Sequence, residues 1–126
     1  MTDLVDPFRM SVLADVRSLP GLRRSIRSWL SRVGANDADD IVLAVHEAVA
    51  NAIEHGGLAP GAVVAVAADV VSGELHVSVR DEGTWRERTA DDTRGRGLDI
   101  MRAMMDRVAL DTEQGRTSIV MIRHLR

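Results

Sequence analysis

The sequence predicts an α+β fold in which helices cover one face of a mixed β-sheet. Two segments with helical spacing come early, an alternating apolar pattern follows over residues 63–81, and a further helical segment precedes two short strands. The predicted order is therefore βααββαββ. With 126 residues, of which 45% are hydrophobic, the chain is expected to form a single domain over residues 1–126.

The first strand is predicted at Phe8 to Leu13, and a helix follows it. Pro20 suits the first turn of this helix and Gly34 suits its C-terminal cap. Trp29 lies on the apolar stripe of the helix, so we expect it to pack in the core. The stripe has 3-4-3 spacing and consists of Leu19, Leu22, Ile26, Trp29, Leu30 and Val33.

The second helix is predicted to begin at Asn36 or Asp37, either of which can cap it, and to run to His55. Gly56 and Gly57 stop it. Alanines keep this helix slim, so another group can approach it closely. They are Ala44, Ala48, Ala50 and Ala52.

The remaining elements are two hairpins, a loop and a third helix. Residues 63–71 form a continuous apolar strand, Ser72-Gly73 a two-residue turn, and the next strand alternates up to Asp81. Residues 84–96 are charged and aperiodic, so we expect a mobile loop. The third helix is predicted from residue 97 to about residue 106, and the last hairpin over residues 108–111 and 117–123.

Composition excludes several classes of function. The net charge of −3 gives no reason to expect nucleic-acid binding. The chain has no cysteine, and no apolar run approaches the roughly 20 residues of a membrane span. The N-terminus is acidic and lacks a signal peptide's apolar core, so a cytoplasmic location is expected. An early cluster of arginines is the one local asymmetry: Arg17, Arg23, Arg24, Arg27 and Arg32.

Glu47 and Asn51 lie one turn apart on the second helix and project from the same face. A carboxylate beside an amide oxygen suits activation of a hydroxyl next to a hard cation, since Mg²⁺ takes only one or two protein oxygens beside phosphate oxygens. Alone, such a pair is more often a solvent-facing polar pair.

Two glycine motifs follow. Asp81 ends a strand and precedes Gly83, so its carboxylate can accept a hydrogen bond from an exocyclic amine while a flat base lies over the glycine. Gly95 and Gly97 lie at the mouth of a helix, where free N–H groups attract phosphate, with Arg94 and Arg96 beside them. A strand-ending turn and an ordinary glycine-rich helix start are the plain alternatives.

Other motifs are rejected. A His-Glu-x-x-His zinc site would need a histidine at position 50, which is Ala50, and the glycines do not fit a P-loop. His46 and His55 are therefore interpreted as structural or site-lining residues.

As a set, these motifs resemble the GHKL superfamily of ATP-binding domains, which includes histidine kinases, gyrase and the MutL repair proteins. Within it, the stretches EAVANAIEHG, DEG, GRGLDIM and GRTSIVMIR are similar to the bacterial anti-sigma factor serine kinases. The resemblance runs from Pro7 to Arg126. It implies the Bergerat fold, a two-layer α/β sandwich whose mixed, mostly antiparallel sheet is covered on one face by three helices.

The resemblance also implies roles for individual residues. Glu47 would be the catalytic base and Asn51 the Mg²⁺ ligand, and residues 84–96 would be the ATP lid. Residues that match the family's nucleotide-binding positions complete the expected site, with Asp81 at the adenine amine, Gly83 beneath the ring and Thr117 in support. The phosphates would contact the backbone of Gly95, Gly97 and Leu98 beside Arg94 and Arg96, and His55 would also line the nucleotide site.

The implied function is ATP-dependent phosphorylation of a Ser or Thr on an anti-anti-sigma protein, combined with sequestration of a sigma factor by a homodimer. The Arg23, Arg24 and Arg27 side chains are expected to face an acidic sigma surface. One departure is Trp85, which stands where many relatives have a second glycine and should restrict the lid hinge.

Two alternatives stay open. A nucleotide-binding switch without phosphotransfer is the first. The second is the catalytic domain of a histidine kinase, which would need a helical phosphoacceptor domain before it, whereas six residues precede Pro7. A piece cut from a larger regulator is also compatible with the sequence.

Overall fold

The computed structural model describes residues 5–55, 61–81, 95–113 and 116–125. These residues form three helices and five strands. In chain order they are β1 (Phe8–Leu13), α1 (Leu19–Val33), α2 (Ala38–His55), β2 (Val63–Val71), β3 (Glu74–Asp81), α3 (Gly95–Met104), β4 (Arg107–Glu113) and β5 (Arg116–His124).

The strands form one sheet in the order β1-β2-β3-β5-β4. All four pairings between described strands are antiparallel, whereas the sequence predicts a mixed, mostly antiparallel sheet. The β2–β3 hairpin has the predicted two-residue turn, in which Ser72 and Gly73 have φ values of 51° and 77°. Positive φ at both positions is the geometry of a type I′ turn, which matches the twist of the flanking strands.

Burial alternates along the strands, because successive side chains point to opposite faces of the sheet. Even in β2, which the sequence predicts to be apolar throughout, every second residue from Val64 to Ala68 is buried. The helices therefore cover only one face, as predicted for the α+β fold, and that prediction is confirmed. The buried hydrophobic residues of the central strands are Val64, Val66, Ala68, Leu75, Val77, Val79, Ile119 and Met121.

Helix α2 is the central helix and contacts α1, α3, β2 and β3. Three of its buried alanines, at positions 44, 48 and 52, recur at every fourth residue and so form one small-residue stripe. Side chains this short allow neighbouring elements to come close to the α2 backbone.

Helix α1 closes the core beside β1. Pro20 stands in its first turn, and Gly34 ends it in the left-handed conformation with φ 76°, both as predicted. Trp29 is 2% exposed and packs against Phe8, with ring centroids 6.1 Å apart. Its indole N–H donates to the carbonyl of Asp6 at 2.7 Å, which satisfies the polar atom of a buried aromatic side chain.

The predicted boundaries were wrong at α3 and in the last hairpin. Helix α3 begins at Gly95 and ends at Met104, so residues 95 and 96 belong to the helix and not to the lid. Glycine disfavours helix interiors, but first-turn N–H groups have no helical acceptor anyway, so a glycine there costs little. Strands β4 and β5 are longer than predicted, because polar residues near the turn between them obscure the alternation of apolar and polar side chains. None of the described helices is both long and apolar enough to span a bilayer.

Candidate functional site

Asp81 and Thr117 form a buried polar corner at one end of the sheet. Asp81 is the last residue of β3 and is 1% exposed, and Thr117 lies on the neighbouring β5 and is 4% exposed. The backbone N–H of Thr117 donates to Oδ1 of Asp81 at 3.4 Å. Because a buried carboxylate is costly unless it is hydrogen-bonded, this contact accounts for part of its stability.

The hydroxyl of Thr117 is the second polar side-chain group of this corner. Its Oγ1 atom is buried and has no hydrogen-bond partner among the described residues. A buried polar atom without a partner costs about 1–3 kcal/mol, so such atoms are rare in folded proteins. Among the described residues, the corner therefore has a hydroxyl without a partner beside a carboxylate, which fits a polar, flat ligand.

Glu47 belongs to α2, and its side chain reaches the start of α3. Its carboxylate Oε2 is 3.5 Å from the point that a Cβ would occupy on Gly97, and the side chain is half-buried. The first N–H groups of a helix lack helical acceptors and stand at the positive end of its dipole, which favours negative charge there. Glu47 is thus a carboxylate placed beside an anion-attracting helix end.

Other predicted residues surround this helix end. Asn51 is half-buried one turn after Glu47, and Leu98 is half-buried in the first turn of α3. Gly95 and Arg96 lie in the same turn of α3, and His55 is the last residue of α2. Gly83, Trp85, Arg94 and the rest of residues 82–94 lie outside the described residues.

His46 precedes Glu47 and contacts the other neighbouring helix. Its Nδ1 atom is 3.0 Å from a guanidinium nitrogen of Arg23 on α1. Because arginine only donates, Nδ1 of His46 is the acceptor in this contact. No sequence pattern indicates this contact, since the two residues are 23 positions apart and form no motif.

Several of the early arginines contact other side chains of the chain. Arg17 pairs with Asp15 at 2.7 Å and Arg27 with Asp39 at 2.5 Å, while Arg23 contacts His46. The hydrogen bonds from Arg17 lower the pKa of Asp15 to about 2. The expectation that Arg23, Arg24 and Arg27 face an acidic sigma surface stays a prediction, and two of the three contact side chains within the chain.

A family profile described as "Histidine kinase-like ATPase domain" matches residues 12–123. The chain belongs to this family. It is also 34% identical over 133 positions to an anti-sigma F factor from Clostridium acetobutylicum, covering 94% of this chain and 93% of that one. The predicted membership of the GHKL superfamily, and within it of the anti-sigma factor kinases, is confirmed. Membership of an ATPase-domain family implies nucleotide binding.

Solved structures agree with this assignment. The crystal structure of the RsbU and RsbW domains of a Mycobacterium tuberculosis protein superposes with a TM-score of 0.80 at 27% identity. It covers 96% of this chain, which spans only 33% of that longer chain. The Acinetobacter baumannii histidine kinase AdeS matches with a TM-score of 0.57 at 16% identity over 93% of this chain and 68% of its own, which shows the fold alone.

Proposed function

We propose that this chain is an ATP-dependent protein serine/threonine kinase that phosphorylates an anti-anti-sigma protein and, as a cytoplasmic homodimer, sequesters a sigma factor. The printed names of the relatives, an anti-sigma F factor and an RsbW domain, support the partner classes. The observation that carries the proposal is the buried Asp81–Thr117 corner with its unused hydroxyl.

The corner fits an adenine ring. Asp81 accepts a hydrogen bond from the exocyclic amine, and Thr117 Oγ1 gains the partner that it lacks among the described residues. Guanine has a carbonyl in place of that amine, so it would leave the buried carboxylate facing another acceptor. A site that leaves buried groups unpaired against the wrong base discriminates strongly.

The phosphates would lie at the start of α3. Gly95, Gly97 and Leu98 offer backbone N–H groups there, and the missing side chain of Gly97 leaves space beside Glu47. Asn51 would be the protein ligand of Mg²⁺, which neutralises charge on the phosphates. No cluster of three or more His, Asp or Glu side chains within the described ranges is arranged to hold a metal, so phosphate and water oxygens would supply the other ligands.

Glu47 would act as the base. In the transfer, the substrate hydroxyl oxygen bonds to the γ-phosphorus, the bond from that phosphorus to the β–γ bridging oxygen breaks, and ADP leaves. Glu47 takes the hydroxyl proton. Its carboxylate already lies at the helix end where the γ-phosphate would be held, so positioning contributes most of the catalysis.

The non-catalytic switch differs from this proposal only in the transfer step. Radiolabelled ATP and candidate anti-anti-sigma proteins should be incubated with the wild type, with Glu47→Gln and with Asp81→Asn. The kinase proposal expects label on Ser or Thr with the wild type, loss of transfer with retained ATP binding for Glu47→Gln, and loss of both for Asp81→Asn. If the wild type binds ATP and transfers no label to any candidate, the switch replaces the kinase.

The same experiment separates the histidine-kinase alternative. Phosphoserine and phosphothreonine survive acid, whereas phosphohistidine does not. Acid-stable label on the partner supports the proposed class, and acid-labile label contradicts it. Co-purification of a sigma factor, dependent on ATP, and sedimentation velocity would test the sequestration and the homodimer.

A further inference from the structure

Helix α2 runs from the far end of β5 towards the Asp81–Thr117 corner. Just before α2 begins, Asp37 pairs with Arg123 of β5 at 2.7 Å. Thr117 lies six residues before Arg123 on the same strand, so about 20 Å separates them. Strand β2, which follows α2 in the chain, pairs with Asp81 through Val64. The first half of α2 is therefore the half remote from the corner.

Leu43 lies in this first half and is an exposed apolar side chain. It is 40% exposed and precedes Glu47 by one helical turn, about 6 Å along the axis and on the same face. The other exposed large hydrophobic side chains among the described residues lie on strands or in the 3₁₀ turn Val16–Ser18. A single exposed leucine is common on protein surfaces, so the argument for a role rests on what surrounds Leu43.

The four helix-surface neighbours of Leu43, three and four positions away, are all polar, and they form its rim. They are Asp39, Asp40, His46 and Glu47. On one side of Leu43, Asp39 pairs with Arg27 of α1 at 2.5 Å. On the same side, His46 contacts Arg23 of α1 at 3.0 Å.

The rim is also held on the other side of Leu43. Asp40 is 3.6 Å from Arg123 of β5, and Glu47 reaches the start of α3. Contacts to three different elements thus restrain the rim, so covering it costs less side-chain freedom than covering unrestrained residues. An apolar centre within a polar rim is typical of a protein-binding surface.

The proposed transfer brings the substrate to this side of Glu47. The γ-phosphate would lie between Glu47 and the start of α3, with the rest of the nucleotide extending to the corner. The attacking and leaving oxygens of phosphoryl transfer lie roughly in line. Because the leaving oxygen is on the side of the corner, the substrate hydroxyl arrives from the opposite side, where Leu43 lies.

This geometry favours a substrate protein as the occupant. A second copy of the chain, or any other stable partner, would block the approach to Glu47, whereas a substrate has to occupy it. The substrate hydroxyl must come within about 3 Å of the Glu47 carboxylate. A protein that presents this hydroxyl therefore covers the next turn of α2 as well.

We propose that Leu43 is a docking residue for the protein that receives the phosphate, and that this protein places an apolar side chain on Leu43 about 6 Å from the accepting hydroxyl. The inference rests on the proposed kinase function and adds the surface that selects the substrate. Leu43 contacts no reacting atom, so it contributes to substrate affinity and not to the transfer step.

The kinetics of phosphate transfer to each candidate anti-anti-sigma protein test this role. Leu43→Ala introduces a stronger helix former, so α2 should be retained. The variant should raise KM for the protein substrate about tenfold and keep kcat within about twofold, because the contact is the same before and during transfer. Leu43→Met has a similar apolar volume and should keep KM within about twofold of the wild type.

Leu110→Ala is the matched control. Leu110 is 45% exposed on β4, so the change removes the same atoms from a comparably exposed position away from α2. Its KM should stay within about twofold of the wild type. Calorimetry with MgATP alone should give one ATP affinity for all these variants, which would show that the nucleotide site is intact.

A photo-cross-linker tests the contact without requiring transfer. Leu43→p-benzoylphenylalanine should cross-link to the candidate protein in the presence of Mg²⁺ and a non-hydrolysable ATP analogue, at the segment that carries the accepting Ser or Thr. Leu110→p-benzoylphenylalanine should not cross-link to it.

Four results separate the possibilities. An unchanged KM in Leu43→Ala, with transfer by the wild type, overturns the docking role and leaves the kinase in place. If the wild type transfers no label, the kinase proposal fails, and cross-linking at position 43 then supports docking or, by its absence, overturns it. A dimer that Leu43→Ala converts to monomer in sedimentation velocity would assign Leu43 to a second copy instead. Loss of sigma-factor co-purification at unchanged KM would assign it to the sigma factor.

Discussion

Gly97→Ala should make the free protein more stable and the nucleotide complex weaker. Gly97 lies within α3 and is not one of the described glycines with positive φ, so its backbone does not require glycine. An added Cβ would be 3.5 Å from Oε2 of Glu47, an ordinary van der Waals distance. The free protein therefore has room for the methyl group.

The magnitudes follow from these contacts. Replacing glycine by alanine in a helix gains up to about 1 kcal/mol, and less in the first turn. For a chain of this size that corresponds to a rise in Tm of about 2–5 °C. The methyl group fills the space in which a phosphate would approach the backbone, so ATP should bind at least about tenfold more weakly, or about 1.4 kcal/mol.

Thermal unfolding and isothermal titration with MgATP measure both effects on the same samples. Ala103→Gly is the matched control, because Ala103 is exposed on α3 and the change reverses the helix propensity away from Glu47. It should lower Tm and leave ATP affinity unchanged. ATP binding by Gly97→Ala within about twofold of the wild type, or a fall in its Tm of several degrees, would contradict both expectations.

Three further results are expected. Thr117→Val should leave stability unchanged or raise it by about 1 kcal/mol, because it removes a buried hydroxyl without a described partner, yet it should weaken ATP binding in calorimetry. Arg123→Met should lower the free energy of unfolding in urea by about 1–3 kcal/mol, since it breaks the 2.7 Å pair with Asp37; an unchanged midpoint would contradict this. In NMR titrations the carboxyl of Asp15 should have a pKa of about 2, returning towards 3.8 in Arg17→Ala. Because folding lowers this pKa, the contribution of Asp15 to stability is present above about pH 4 and is lost as pH falls towards 2.

The elements were predictable wherever periodicity and end signals agreed. Strand β1 and helix α1 lie where the pattern placed them, because Pro20 and Gly34 mark the ends of the helix by backbone chemistry that acts locally. The predicted start of α3 is two residues late, because Gly95 and Arg96 continue the charged, aperiodic stretch that the sequence assigns to the lid. A loop and the first turn of a helix both leave the backbone N–H groups of residues 95 and 96 without a helical acceptor, so the local sequence does not distinguish the two.

The candidate site was only partly predictable for a related reason. Helical spacing places Glu47 and Asn51 on one face from sequence alone. The contact of Glu47 with α3 and the burial of Thr117 beside Asp81 depend on long-range packing, which no local pattern encodes. The same holds for Arg23 and His46, whose residue types give no reason to pair them.

In the proposed site, one adenine nucleotide contacts both the Asp81–Thr117 corner and the start of α3. An NMR titration of the ¹⁵N-labelled chain with MgATP measures this through the backbone amides of Thr117, which bonds Asp81, and of Gly97, which lies beside Glu47. We expect both signals to shift with the same Kd, and MgGTP to shift neither at equal concentration. Shifts confined to one of the two amides, or an equal response to MgGTP, would contradict it.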